Sequence, residues 1–259
     1  MPMVLATHSV KHWRVAASRP DQVLVIPGLN GHPGLLMRAA PALFPNWQAI
    51  AFNHHLDLAE GGVEGLARRA AAVLDAPGSE RVWVCGESFG GTVALTLAHL
   101  HPARVKGLIL LSTFGWHPST LARRGVVALA VWSFLGHRVS TGMYRAGRVA
   151  SLPTQLGLRF PGDLLRSYIS RPRANVVAYR IKAELSLTFD ARAWLGTLDC
   201  PAFVLTGTWD PVVPASAGRE LARSIPNARL ASLRGGHLVH LVHAQRVGGL
   251  ISDWARDLH

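Results

Sequence analysis

Cysteine is nearly absent from this 259-residue chain: Cys85 and Cys200 are the only two. Two thiols exclude a disulfide framework and a Cys-rich zinc module. Acidic residues are scarce as well, 15 Asp and Glu against 27 Lys and Arg, for a formal charge of +12. That surplus permits a nucleic-acid, anionic-lipid or acidic-protein partner without choosing one. No zinc finger, RNP-like aromatic strand or concentrated Lys/Arg run accompanies it, so no nucleic acid is expected as partner. Long apolar runs are missing too. The longest uncharged apolar stretch, Gly125 to Gly136, has twelve residues, whereas a bilayer-spanning helix needs about 20. The start of the chain lacks a basic segment followed by a long apolar one, as a signal peptide would have, and the protein is expected to be soluble and cytoplasmic. What is abundant is apolar residues, 49% against 16% charged. Wholesale disorder is thereby excluded, and the length suits one large domain or a core with an insertion.

Short apolar runs alternate with helical patterns. Strands are expected at 23–27, 48–52, 81–85, 106–112, 202–206 and 228–233. Helical spacing marks 63–74, 89–100, 215–224 and 238–256. This repetition predicts an α/β fold, a mostly parallel sheet with helices on both faces. Residues 116–195 break the rhythm. Up to residue 190 they hold eleven Lys/Arg against Asp163, Glu184 and Asp190, a surplus of eight. Segments 122–135 and 162–189 are predicted helical. We expect an inserted helical cap (lid) on a core made of 1–115 and 196–259, a common means of excluding water from a site.

Gly86-Glu87-Ser88-Phe89-Gly90-Gly91 lies between an expected strand and an expected helix. A G-x-S-x-G turn in that context puts Ser88 on a nucleophile elbow. Its strained turn leaves no room for side chains at Gly86 and Gly90. The helix start behind Ser88 offers free N–H groups to a developing oxyanion, Phe89 N–H first among them. A second donor is expected from the loop after the first strand, Pro27-Gly28-Leu29-Asn30-Gly31, where Leu29 N–H is the candidate and Gly28 permits close approach. The plain alternatives are a tight turn with an N-capping serine and a simple Gly-rich loop.

A serine hydroxyl needs a base, and histidine suits that task near neutral pH. Of thirteen histidines, His237 follows the last strand, where the base of this topology belongs. Asp210, just after strand 202–206, is the expected orienting acid, with Asp190 and Asp199 as weaker candidates. It has an ordinary turn-initiating role before Pro211 as its alternative. His237, His240 and His243 form a His-x-x-His-x-x-His run. At helical spacing the outer two diverge, and no carboxylate lies within the run, so no metal site is expected.

Ile26-Pro27-Gly28-Leu29-Asn30-Gly31, the Ser88 elbow, Asp210-Pro-Val-Val-Pro214 and Gly236-His237 together resemble the α/β-hydrolase fold family, over 1–115 and 196–259. The resemblance implies a catalytic triad of Ser88, His237 and Asp210, an oxyanion hole at Leu29 and Phe89, and no cofactor. Serine at the elbow sets the chain apart from haloalkane dehalogenases and epoxide hydrolases, which carry aspartate there. Two features depart from many members: Pro27 stands where they have histidine, and Phe52-Asn53-His54-His55-Leu56-Asp57-Leu58 replaces a D-x-G-x-G-x-S loop. The expected function is a serine esterase cleaving a small-molecule carboxylic ester or thioester, with an apolar acyl group facing the cap. The basic cap leaves open an acidic carrier protein, as in pimeloyl-carrier-protein methyl esterases, an anionic lipid surface, as for a lysophospholipid or monoacylglycerol lipase, or merely a solvated Arg-rich surface. A non-catalytic ligand receptor of the same fold is the alternative from another class.

Overall fold

A computed structural model describes residues 21–75, 81–117, 166 and 175–258. The strands are β1 (Asp21–Ile26), β2 (Trp47–Ala51), β3 (Val82–Glu87), β4 (Val105–Leu111), β5 (Ala202–Gly207) and β6 (Ala228–Leu233). All pair in parallel, in the order β2-β1-β3-β4-β5-β6. Each expected strand is present, shifted at its ends by a residue or two. The helices among the described residues are α1 (Gly34–Leu43), α2 (Gly62–Ala72), α3 (Phe89–Leu100), α4 (Val176–Thr188), α5 (Ala215–Ser224), α6 (Val239–Val242) and α7 (Ala244–Arg256).

The inner strands β1, β3, β4 and β5 are apolar over most of their length because both faces are covered, whereas the edge strand β6 is largely exposed. Val23, Val25, Trp83, Cys85, Ile109 and Leu111 pack on Leu36 and Met37 of α1 and on Val247, Ile251 and Trp254 of α7. Their alternates Leu24, Ile26, Val84, Leu108 and Leu110 pack on Leu66 and Ala70 of α2 and on Val93 and Leu97 of α3. The period of two along a strand sends neighbours to opposite faces, so each face has its own core. Burying one such large side chain contributes roughly 1.5–3 kcal/mol.

Two helices differ from the sequence expectation. Helix α1 has no counterpart among the expected elements; Pro41 lies inside it and removes a ladder donor. The final helix, expected as one piece from 238 to 256, is broken at His243 (φ −116°, ψ 37°). Gly248 of α7 sits so close to α1 that a Cβ there would lie 3.2 Å from the Leu43 Cα. The bend lets α7 lie on α1 while α6 continues from the His237 loop.

The chain leaves and re-enters the core at one place. Trp116 and Asp190 form an antiparallel bridge, Ala191 N–H donates to the Gly115 carbonyl at 2.8 Å, and His117 N–H to the Phe189 carbonyl at 3.2 Å. Of the expected helical segments in between, 122–135 lies outside the described residues, and α4 occupies the end of 162–189. Among the described residues no helix is long and apolar enough to cross a membrane.

The sheet reverses its winding between β1 and β3: the chain runs from β1 out to β2, then returns to β3 on the other side. Open α/β sheets hold ligands outside the carboxyl ends of the strands at such a switch point. The loop after β1 and the turn after β3 meet there.

Candidate active site

Strand β3 ends in a turn that puts Ser88 at φ 52°, ψ −124°, a conformation costing about 1–3 kcal/mol outside glycine. The turn is tight on both sides. A Cβ on Gly86 would lie 2.5 Å from the Gly90 carbonyl oxygen, and one on Gly90 would lie 2.5 Å from the Pro27 carbonyl oxygen. The strained backbone is tethered to β4 and the residues after it: Ser88 N–H donates to the Leu111 carbonyl at 2.9 Å, and the Thr113 hydroxyl donates to the Ser88 carbonyl at 2.6 Å.

His237 lies 149 residues from Ser88 and 27 from Asp210 in sequence, yet the three form one hydrogen-bonded chain. His237 Nε2 is 2.9 Å from Ser88 Oγ, and His237 Nδ1 is 2.7 Å from Asp210 Oδ2. Each of the three comes from the carboxyl end of a different strand: β3, β6 and β5. The second Asp210 oxygen accepts from the N–H groups of Val212 at 2.8 Å and Val213 at 2.9 Å, which fixes the carboxylate plane. All three residues are buried. With the carboxylate at Nδ1, the proton sits on that nitrogen, and the Nε2 lone pair is left to accept from the serine hydroxyl. Burial opposes a charge on His237, but the Asp210 carboxylate, its hydrogen bond and the nearby Glu87 outweigh it and raise the imidazole above its ordinary 6.5.

The loop after β1 closes over the elbow. A Cβ on Gly28 would lie 3.2 Å from the Ser88 Cβ. Gly28 N–H donates to the Glu87 carboxylate at 3.2 Å, and Gly31 N–H turns back to the Gly28 carbonyl at 2.8 Å. Among the described residues neither Leu29 N–H nor Phe89 N–H donates a hydrogen bond. Phe89 opens α3, where first-turn N–H groups have no partner inside the helix.

Residues 21–244 match the alpha/beta hydrolase fold family. The chain belongs to that family. A poly(3-hydroxyalkanoate) depolymerase of Ectopseudomonas oleovorans is 28% identical over 91% of this chain and 84% of its own length. A pimeloyl-[acyl-carrier protein] methyl ester esterase of Chromobacterium violaceum is 32% identical over 87% of this chain and 90% of that protein. Among solved structures, the enol-lactonase of Burkholderia xenovorans LB400 superposes with a TM-score of 0.79 at 20% identity, over 95% of this chain and 96% of that one; at that identity the likeness shows the fold. The depolymerase and the methyl ester esterase are both named for hydrolytic activities.

The weaker acid candidates lie elsewhere in the structure. Asp190 is held by the Arg192 guanidinium at the exposed foot of the insertion. The Asp199 carbonyl accepts from the Asn227 side chain at 3.4 Å. Of the other two histidines in the run, His243 is exposed and His240 fully buried. Burial, with His237 nearby, lowers His240 to about 3 and keeps it neutral. Cys85 is buried beneath the elbow and its thiol is pushed far up by desolvation, with Glu87 adding to it; Cys200 is pushed up to about 11. Neither cysteine is a ready thiolate.

Four residues of this neighbourhood were not singled out by the sequence: Glu87 and Thr113, which anchor the loop and the elbow, and His54 and Lys182. The His-His pair after β2 was visible only as a departure from the D-x-G-x-G-x-S loop. Lys182 was one basic residue among eleven in the insertion.

Proposed function

We propose that this alpha/beta hydrolase is a serine esterase that cleaves a carboxylic ester, or thioester, in two steps. The observation that carries the reading is the buried chain Ser88 Oγ–His237–Asp210, at 2.9 and 2.7 Å. In the first step His237 Nε2 takes the hydroxyl proton as Ser88 Oγ attacks the carbonyl carbon. The tetrahedral oxyanion lies against the Leu29 and Phe89 N–H groups. His237 then hands its proton to the leaving alcohol or thiol. In the second step water, deprotonated by the same nitrogen, releases the acid and regenerates Ser88. Asp210 holds the imidazole in the tautomer that can do this and stabilises the imidazolium. Removing one oxyanion donor raises the barrier by about 3–4 kcal/mol. Residues 116–195, joined to the core at Trp116 and Asp190, form the cap over the carboxyl ends of the strands in this reading.

The test is a p-nitrophenyl ester panel from acetate to palmitate, with fluorophosphonate labelling beside it. Turnover and labelling that both vanish in Ser88→Ala support the reading. A folded wild-type protein that is neither labelled nor active, yet binds a ligand equally well after Ser88→Ala, is a receptor instead.

A second reading concerns the acyl donor. The basic surplus of the insertion, together with a relative named for an acyl-carrier-protein ester, supports an acyl group delivered on an acidic carrier. Hydrolysis of a carrier-bound ester should then exceed that of the free ester at low salt and lose the advantage as ionic strength rises; equal rates at every salt concentration remove the carrier.

A further inference from the structure

A lysine with no exposed surface lies behind the loop after β1. Lys182 of α4 has its ammonium 2.7 Å from the His54 carbonyl oxygen, to which it donates, and 3.3 Å from His54 Nδ1. The other ring nitrogen, His54 Nε2, is 2.9 Å from the Pro27 carbonyl oxygen. A carbonyl can only accept, so Nε2 carries the proton and Nδ1 is bare, ready to accept from the ammonium. The proton order runs one way, from Lys182 through His54 to Pro27. Burial, reinforced by the Lys182 charge, lowers His54 to about 3, so the relay keeps this tautomer across the working range. Lys182 itself is lowered to about 8 by burial, which the Asp57 carboxylate opposes. Asp57 is already engaged by Arg69, at 2.8 and 2.9 Å.

Pro27 is where the β1 loop begins, and the other contacts of His54 converge on the same few residues. Its backbone N–H donates to the Gly31 carbonyl at 3.0 Å, and the adjacent His55 Nδ1 donates to the Asn30 carbonyl at 2.9 Å. Its ring centroid lies 6.2 Å from that of Phe89. A single imidazole therefore touches both elements whose N–H groups, Leu29 and Phe89, face the reacting carbonyl in the mechanism above.

We propose that Lys182 and His54 are positioning residues that hold the two oxyanion donors in register, linking the helix that returns from the insertion to the reacting centre. The inference rests on the esterase reading for its catalytic consequence, but the placement of the loop can be measured without turnover.

The experiment compares wild type with His54→Leu, His54→Gln and Lys182→Met. His54→Leu removes the N–H donor, whereas His54→Gln retains one near the Nε2 position. Amide hydrogen exchange of the segment 28–32 is read first: about tenfold faster exchange is expected in His54→Leu and Lys182→Met, with His54→Gln close to wild type. On a p-nitrophenyl ester, kcat should fall about 10- to 100-fold in the first two variants, with KM changed little and the affinity for a trifluoromethyl ketone falling in parallel with kcat/KM. Recovery of kcat and of inhibitor affinity by His54→Gln distinguishes positioning from bulk packing. Unchanged exchange and unchanged kcat in folded His54→Leu overturn the proposal, as does a loss that His54→Gln fails to restore. Should the wild type prove inactive and unlabelled by fluorophosphonate, the esterase reading falls, and the exchange measurement still decides whether Lys182 and His54 hold the loop. If Lys182→Met does not fold, the two His54 variants carry the same decision.

Discussion

Two buried histidines, one hydrogen-bonded to Ser88 and one packed against the adjacent Phe89, behave oppositely. His237 has a carboxylate at Nδ1, and its pKa lies above 6.5; His54 has an ammonium facing Nδ1, and its pKa lies at about 3. Desolvation lowers both, so burial does not separate them. The sign of the neighbouring charge does. Asp210 makes His237 a group that can take a proton during a reaction. Burial, with the Lys182 charge adding to it, makes His54 a group that will not, and a neutral ring with a fixed N–H is what a positioning contact requires. In the proposed mechanism the same side chain, buried in both places, thus serves proton transfer in one loop and scaffolding in the other.

The largest test of this contrast is on the reacting side. On the proposed mechanism Ser88→Ala should reduce ester turnover by about 10⁴-fold or more, measured under substrate saturation, because His237 and Asp210 are left with no hydroxyl to activate. A decrease of only a few-fold would mean that another nucleophile carries the reaction.

Asp210→Asn comes next and addresses the charge directly. It should cost about 10⁴-fold in kcat, through the wrong imidazole tautomer and the lost stabilisation of imidazolium. It should also shift the pH profile. In the wild type the acid limb of kcat/KM should have its midpoint above 6.5, since in the proposed mechanism His237 must be neutral to act as base. Without the carboxylate, burial acts against the charged ring with only Glu87 opposing it, and the midpoint moves to lower pH. An unmoved midpoint would show that Asp210 does not set the charge on His237.

On the scaffold side the expected effect is on stability. Between pH 6.5 and about 3 the unfolded chain protonates residue 54 while the native one does not. Stability therefore falls as pH drops through that window, by up to about 1.4 kcal/mol per pH unit for one such histidine. Urea melts of His54→Gln should show a shallower acid slope than wild type, with His240, also lowered to about 3, supplying a remaining part. For His237 the sign is reversed: its contribution is present below 6.5 and is lost as pH rises through its raised native value. Equal acid slopes in wild type and His54→Gln would mean that His54 is already charged in the native protein.

The two sides were not equally legible in the sequence. Ser88, His237 and Asp210 each follow a strand end, and their order and spacing are set by chain topology, so a linear reading brings them together. The sheet was legible for the same reason: Val23–Ile26, Val82–Cys85 and Gly107–Leu111 are apolar on both faces because helices cover both. Lys182 carries no such mark. Tyr179-Arg180-Ile181-Lys182-Ala183-Glu184 reads as an ordinary polar helical stretch, and only the packing of α4 on the His54 loop decides which cation loses its water. Helix α1, with Pro41 inside it, carries a weaker helical signal, and the bend at His243 is masked by a periodicity that continues across it. The role of the insertion is the least legible of all, since composition records its charge but not where that charge points.

The smallest expected effect lies on the helix that carries Lys182. Arg180 is two residues away, on the solvent side of α4, where it pairs with Glu184 at 2.8 Å with both side chains largely exposed. Water screens that pair, and holding two long side chains together costs entropy, so Arg180→Ala should change stability by only about 0.3–0.5 kcal/mol in a urea melt. It should also leave kcat on a free p-nitrophenyl ester and exchange in the β1 loop unaltered. Lys182→Met, on the same helix, should alter both. The two residues carry the same formal charge within one helical turn and differ in desolvation and in what their donors face. If Arg180→Ala perturbs the loop as strongly as Lys182→Met, then α4 acts through its overall charge or its helical stability, and the specific Lys182–His54 contact has no separate role.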